Sequence, residues 1–172
     1  MTAMGWFAQG VFGICDFQFW WSVTNQITWW SLLAYATVAG WTDVRSRTIP
    51  NWLTSAAFVA VMGIHVFTGA ALPAVAGFFV TGMLFLMPTI LKVWGQGDWK
   101  MAMVYGAGLG ALPTVFLWSL SMLVAKVGNH PISIWSRKFM TNSKAASMPL
   151  GLFVLCGTAV AYLAVSLCTA FR

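Results

Sequence analysis

Acidic side chains are nearly missing from this chain. Its 172 residues hold three aspartates, Asp16, Asp43 and Asp98, and no glutamate. Charged residues of either sign make up 7% and hydrophobic ones 60%, whereas soluble domains carry roughly 25% charge. This shortage argues against a soluble domain and puts the chain in the membrane. Nine basic residues leave a net charge of +6, but they are scattered through loops without interleaved exposed aromatics, so no nucleic-acid partner is expected. Cysteine is equally scarce. Cys15, Cys156 and Cys168 lie in apolar runs with no Cys-x-x-Cys spacing, which predicts neither a disulfide framework nor zinc. Neither of the two histidines, His65 and His130, has a second histidine or a carboxylate at ligand spacing, so no metal is expected. No serine or threonine has a partnered histidine, and nucleophilic catalysis therefore lacks a constellation. The first 24 residues contain no Lys or Arg, so no cleavable signal peptide is expected.

What the chain does have is long uncharged runs. Residues 17–42 carry no charge, and about 20 residues suffice to cross the hydrocarbon core, which predicts a first helix over 21–41 after an interfacial segment over 1–20. Trp20, Trp21, Trp29, Trp30 and Trp41 fit either an aromatic belt or a tryptophan-rich packing face. Residues 52–91 hold no Asp, Glu, Lys or Arg and are broken near the middle at Thr68-Gly69-Ala70-Ala71-Leu72-Pro73, which predicts a helical hairpin that leaves one membrane face and returns to it. The uncharged run over 101–125 is long for one span and short for two. Crossing once would divide the basic residues five to four. Dipping in and returning near the glycines at 106, 108 and 110 would put eight of nine on one face. The positive-inside tendency favours the second arrangement and makes that face cytoplasmic. Residues 126–147 then form a basic cytoplasmic loop and 147–170 a final helix. The fold class expected is an all-α, polytopic membrane bundle of about six membrane-inserted helices, one or two of them short or kinked.

Two polar breaks interrupt the runs, Asp43-Val44-Arg45-Ser46-Arg47-Thr48-Ile49-Pro50-Asn51 and Trp94-Gly95-Gln96-Gly97-Asp98-Trp99-Lys100. The hairpin delivers Asp43 and Asp98, 55 positions apart, to one side of the membrane. An ionisable residue at a bilayer boundary is costly unless paired, solvated or used; capping a helix or solvating a loop is the plainer role. Like charges a few ångströms apart do not both ionise cheaply, so one carboxyl keeps a proton while the other stays anionic. The anion can then take a proton from water and the acid can donate to a carbonyl oxygen under attack. Gly95 and Gly97 let the backbone turn tightly and a partner chain approach Asp98. They lack the longer spacing and the lysine of a phosphate loop. Lys100 could bias which carboxyl ionises, bind substrate, or snorkel at the interface.

Asp43 followed by Ile49-Pro50-Asn51, and later Gly95-x-Gly97-Asp98-x-Lys100, resemble the two signatures of the type IV prepilin peptidases, members of the GxGD membrane aspartyl proteases. The likeness runs over 34–110 and extends to Pro149-x-Gly151, similar to an element at the start of the family's last helix. The resemblance implies that Asp43 and Asp98 are the catalytic pair, with Pro50, Asn51, Gly95, Gly97, Lys100, Pro149 and Gly151 in supporting or substrate-binding roles. It also implies a prepilin or pseudopilin precursor as substrate, cut at its basic leader on the cytoplasmic side of a bacterial inner membrane beside pilus or secretion machinery. Larger members carry an amino-terminal region, often with paired Cys-x-x-Cys motifs for zinc, and also methylate the new terminus with S-adenosylmethionine. Nothing here matches that region, so the likeness is to a short form, one peptidase domain over 1–172 with no cofactor. The Tyr-Asp and Pro-Ala-Leu signatures of presenilin-like and signal-peptide-peptidase relatives are missing. A multi-span scaffold subunit of a pilus, secretion or conjugation machine, retaining the fold without catalysis, is the alternative reading.

Overall fold

A computed structural model of the chain describes residues 23–46, 48–91, 95–123 and 150–170. Among the described residues there are six helices and no strand: α1 Val23–Ser46, α2 Asn51–Phe67, α3 Ala71–Ile90, α4 Gln96–Leu109, α5 Ala111–Leu123 and α6 Leu150–Ala170. The expected interfacial segment over 1–20, the basic loop over 126–147, His130 and Pro149 lie outside the described residues.

Helix α1 runs beyond the 21–41 boundary, through Asp43 to Ser46. The apolar core ends near Trp41, but neither proline nor a turn-forming glycine follows until Pro50, so the helix continues into polar sequence. Side chains secure its end: Thr42 Oγ1 donates to the Ala39 carbonyl at 2.9 Å and Ser46 Oγ to the Thr42 carbonyl at 2.8 Å. Arg45 in the last turn complements the helix dipole. Asp43 is therefore a helical residue and does not lie in a loop.

Pro50, extended at φ −63° and ψ 137°, takes the cap position of α2 and makes Asn51 its first helical residue. Its carbonyl accepts from the Leu53 and Thr54 amides. The expected hairpin turns at Thr68, Gly69 and Ala70, where Gly69 adopts φ +71°, a left-handed conformation that glycine takes without steric cost. Leu72 and Pro73, expected in the break, instead fall in the first turn of α3, where proline's missing donor costs no bond.

The run over 101–125 returns on itself. Gly110, at φ +90°, separates α4 from α5, and the rings of Tyr105 and Trp118 on either side stand 5.4 Å apart. Thirteen residues of continuous helix would put them about 20 Å apart. Helix α6 also begins at the aspartate end, because its Gly151 amide donates to Asp43. Residues 101–123 are therefore two helices folded back on each other at Gly110 and not one continuous helix.

Helices α3 and α4 pack closely because glycines face each other: a Cβ on Gly77 would run into the carbonyl oxygen of Gly106. Helix α4 lies antiparallel to α1, with Gly108 against Thr28 and Leu32. Trp29, Leu32, Tyr35, Ala36 and Ala39 of α1 join Met101, Ala102, Val104 and Tyr105 of α4 in the core. At its centre the Tyr105 hydroxyl bonds Thr158 Oγ1 of α6 at 2.9 Å and the Leu32 carbonyl of α1 at 3.4 Å. By length and composition, α3 is the one described helix fit to cross a membrane alone. Its outer face leaves Leu72, Phe79, Met83, Met87 and Ile90 more than half exposed. Of the first helix's described tryptophans, Trp29 is buried in the packing face whereas Trp30 and Trp41 face outward.

Candidate active site

The antiparallel pairing of α1 and α4 carries the end of one helix to the start of the other, and so gathers the two polar breaks at one end of the bundle. Asp43 sits in the closing turns of α1 and Asp98 in the opening turn of α4, both half-buried. They are near enough for the Asp43 charge to act on the Asp98 carboxyl.

Each carboxylate accepts a backbone amide at the start of a helix. Asp98 Oδ2 takes the Gly95 N–H at 3.1 Å and so caps its own helix. Asp43 Oδ2 takes the Gly151 N–H at 3.1 Å, 108 positions away, at the start of α6. That approach needs small residues: a Cβ on Gly151 would lie 3.2 Å from Asp43 Oδ2 and 3.3 Å from the Gly40 Cα. Both aspartates thus perform the capping role that the sequence left open.

The two signature stretches touch directly. Ile49 packs over Gly97, where a Cβ would meet its side chain at 3.4 Å. Lys100 Nζ donates to Asn51 Oδ1 at 2.7 Å. Of the residues singled out in the sequence, Asp43, Pro50, Asn51, Gly95, Gly97, Asp98, Lys100 and Gly151 therefore share one end of the molecule. His65 is buried far from them, at the other end of α2.

Three further residues shape the site. The Trp99 indole N–H donates to the Gly82 carbonyl at 2.9 Å, fastening the first turn of α4 to α3. Tyr35, on α1, hydrogen-bonds Thr54 Oγ1 on α2 at 3.3 Å and lies within electrostatic reach of Asp98. Trp99 stands inside the glycine–aspartate stretch and was open to notice there. Tyr35 and Thr54 lie in apolar runs and carry no local signal.

Burial is the main influence on Asp98. It is opposed by the Gly95 hydrogen bond and reinforced by the Asp43 charge, and the carboxyl is pushed up to about 6. A carboxyl that holds its proton near neutral pH can act as a general acid. With a second carboxyl beside it, the site has the parts for acid–base activation of water.

Two carboxyls, one within reach of the other's charge, thus stand at one end of a bundle whose described elements are all helices. Residues 30–127 match the model of the type IV leader peptidase family, and the chain belongs to that family. No curated protein and no solved structure matches it.

Proposed function

We propose that the chain is a membrane-embedded aspartic endopeptidase that removes the basic leader from type IV prepilin-like precursors at the cytoplasmic face of a bacterial inner membrane. The observation that carries this reading is the meeting of Asp43 and Asp98 at one end of the bundle, close enough for one charge to act on the other. Membership of the leader peptidase family supports the substrate class.

In this mechanism Asp98 begins protonated and Asp43 ionised. Asp43 takes a proton from a water molecule as its oxygen bonds to the scissile carbonyl carbon, while Asp98 gives its proton to the carbonyl oxygen. The tetrahedral intermediate collapses when the carbon–nitrogen bond breaks. The departing nitrogen receives the proton held by Asp43, and Asp98 recovers one from the intermediate's hydroxyl. Protons, carbon and nitrogen balance without a cofactor. The Gly151 and Gly95 amides hold the two carboxyls in place for both steps.

The membrane part of the reading is a bundle whose six helices all insert, with α4 and α5 dipping in and returning, and a single peptidase domain over 1–172. The exposed apolar face of α3 and the outward Trp41 and Trp52 at the aspartate end support it. The glycine break at 110 is tolerated in a bilayer because protein covers it: Gly110 and Ala111 are buried.

The test is co-expression with a prepilin, following leader removal by gel mobility. Wild type is expected to cleave, and Asp43→Asn and Asp98→Asn are each expected to fall by about a thousandfold or more. Full processing by either variant rejects the paired mechanism. An inert wild type, with the bundle intact, favours the scaffold reading instead.

A further inference from the structure

We propose that Lys100 and Asn51 form a latch that sets the separation of the two aspartates, which makes Lys100 a positioning residue and not a contact for the precursor. The inference rests on the peptidase reading and deepens it. Lys100 lies two residues beyond Asp98 on α4, and Asn51, the first residue of α2, lies eight beyond Asp43. The 2.7 Å bond between their side chains therefore joins the two chain segments that carry the carboxyls, across 49 positions of sequence.

Its chemistry fits a spacer. The ammonium meets a neutral amide oxygen, so no net charge on the partner draws the two together and the bond depends on where the helices put them. A charge-assisted hydrogen bond orders the four-carbon lysine stem and points the ammonium across to α2. Beside it, Ile49 over Gly97 supplies the apolar half of the same joint. Ile49 and Gly97 keep the α1–α2 corner and the first turn of α4 in contact, but an aliphatic side chain over a glycine can slide. The directional bond from Lys100 fixes the register. Such a joint matters for two carboxyls sharing one water, because a displacement of about 1 Å can cost on the order of a hundredfold in rate.

The experiment is a double-mutant cycle on leader cleavage in reconstituted membranes, using Lys100→Met, Asn51→Leu and both together, with Asn51→Asp as the variant that keeps an acceptor. A latch predicts that each single change lowers kcat about tenfold or more, leaves KM within about twofold, and does not add to the other in the double variant. Asn51→Asp should recover most of the rate lost in Asn51→Leu. A raised KM with kcat retained, or losses that multiply, overturns the proposal and makes Lys100 a precursor contact.

A second readout needs no cleavage. With Cys15, Cys156 and Cys168 replaced by Ser, Asp43→Cys and Asp98→Cys are bridged by a short bis-methanethiosulfonate, each thiolate displacing one sulfinate, and Lys100→Met should lower the bridging rate at least about threefold. An unchanged rate overturns the latch whether or not any precursor is cut. A latch-sensitive bridging rate, when the chain that keeps both aspartates cuts no precursor, rejects the peptidase reading alone.

Discussion

Asp98 serves the fold and burdens it at the same time. Its carboxylate caps α4 through the Gly95 amide, yet burial and the Asp43 charge lift it from 3.8 to about 6. The folded state thus binds a proton that the unfolded chain has begun to release. Below pH 3.8 both states are protonated and the group costs nothing; stability falls as pH rises from there through about 6, and the full cost remains above it. Asp98→Asn keeps an oxygen for the Gly95 amide and removes the charge. In detergent at pH 7.5 the variant should therefore be more stable than wild type by about 3 kcal/mol and unfold at a higher temperature, with the gap closing below pH 4. An equal gap at both pH values, or a less stable variant at pH 7.5, would contradict this account of Asp98. The aspartates themselves were legible in the sequence, because three acids in so apolar a chain leave few candidates. Their amide partners were not: nothing local links Asp43 to Gly151, and only the resemblance placed Gly151 near the site at all.

Close contact between helices depends on which glycines meet. Gly77 and Gly106 touch backbone to backbone, and a Cβ on Gly106 would come within 2.5 Å of the Thr81 Cβ and 2.6 Å of the Gly77 carbonyl oxygen. No rotamer change relieves a clash with main chain, so Gly106→Ala must push α3 from α4 and should lower stability by about 1–3 kcal/mol. Gly63 provides the comparison. It lies inside α2 with nothing within 4 Å of an added Cβ, so Gly63→Ala should raise stability by roughly 0.5–1 kcal/mol, the ordinary gain at a helix interior. Thermal unfolding of the two purified variants checks both signs; equal effects would mean that α3 and α4 are not in backbone contact. At this scale the apolar runs predicted the helices and the Gly69 turn well. They misjudged the end of α1, because hydropathy measures the oily part of a helix and is blind to the turns that continue into polar sequence. The break between α4 and α5 fell within the glycine-rich stretch, but the sequence could not show which glycine would take a positive φ.

The whole molecule makes a claim about sides. The Lys100–Asn51 and Asp43–Gly151 bonds draw the starts of α2, α4 and α6 to the end of α1, while the α2–α3 turn at Thr68 and Gly69 lies about 25 Å away, at the far end of a 17-residue helix. If the bundle spans a bilayer with its site inside the cell, Arg45 and Thr68 must report opposite compartments. In a chain whose three cysteines are replaced by Ser, Thr68→Cys should react with a membrane-impermeant maleimide added to spheroplasts. Arg45→Cys should react only in inverted vesicles or after permeabilisation. Both positions are exposed, so failure to label would not come from burial in the protein. Leader cleavage by each variant, followed in parallel, shows that the bundle tolerates the change. Labelling of both from one side would mean that α2 does not cross the membrane. The reverse pattern would leave the hairpin standing but put the aspartates outside, away from a precursor presented in the cytoplasm.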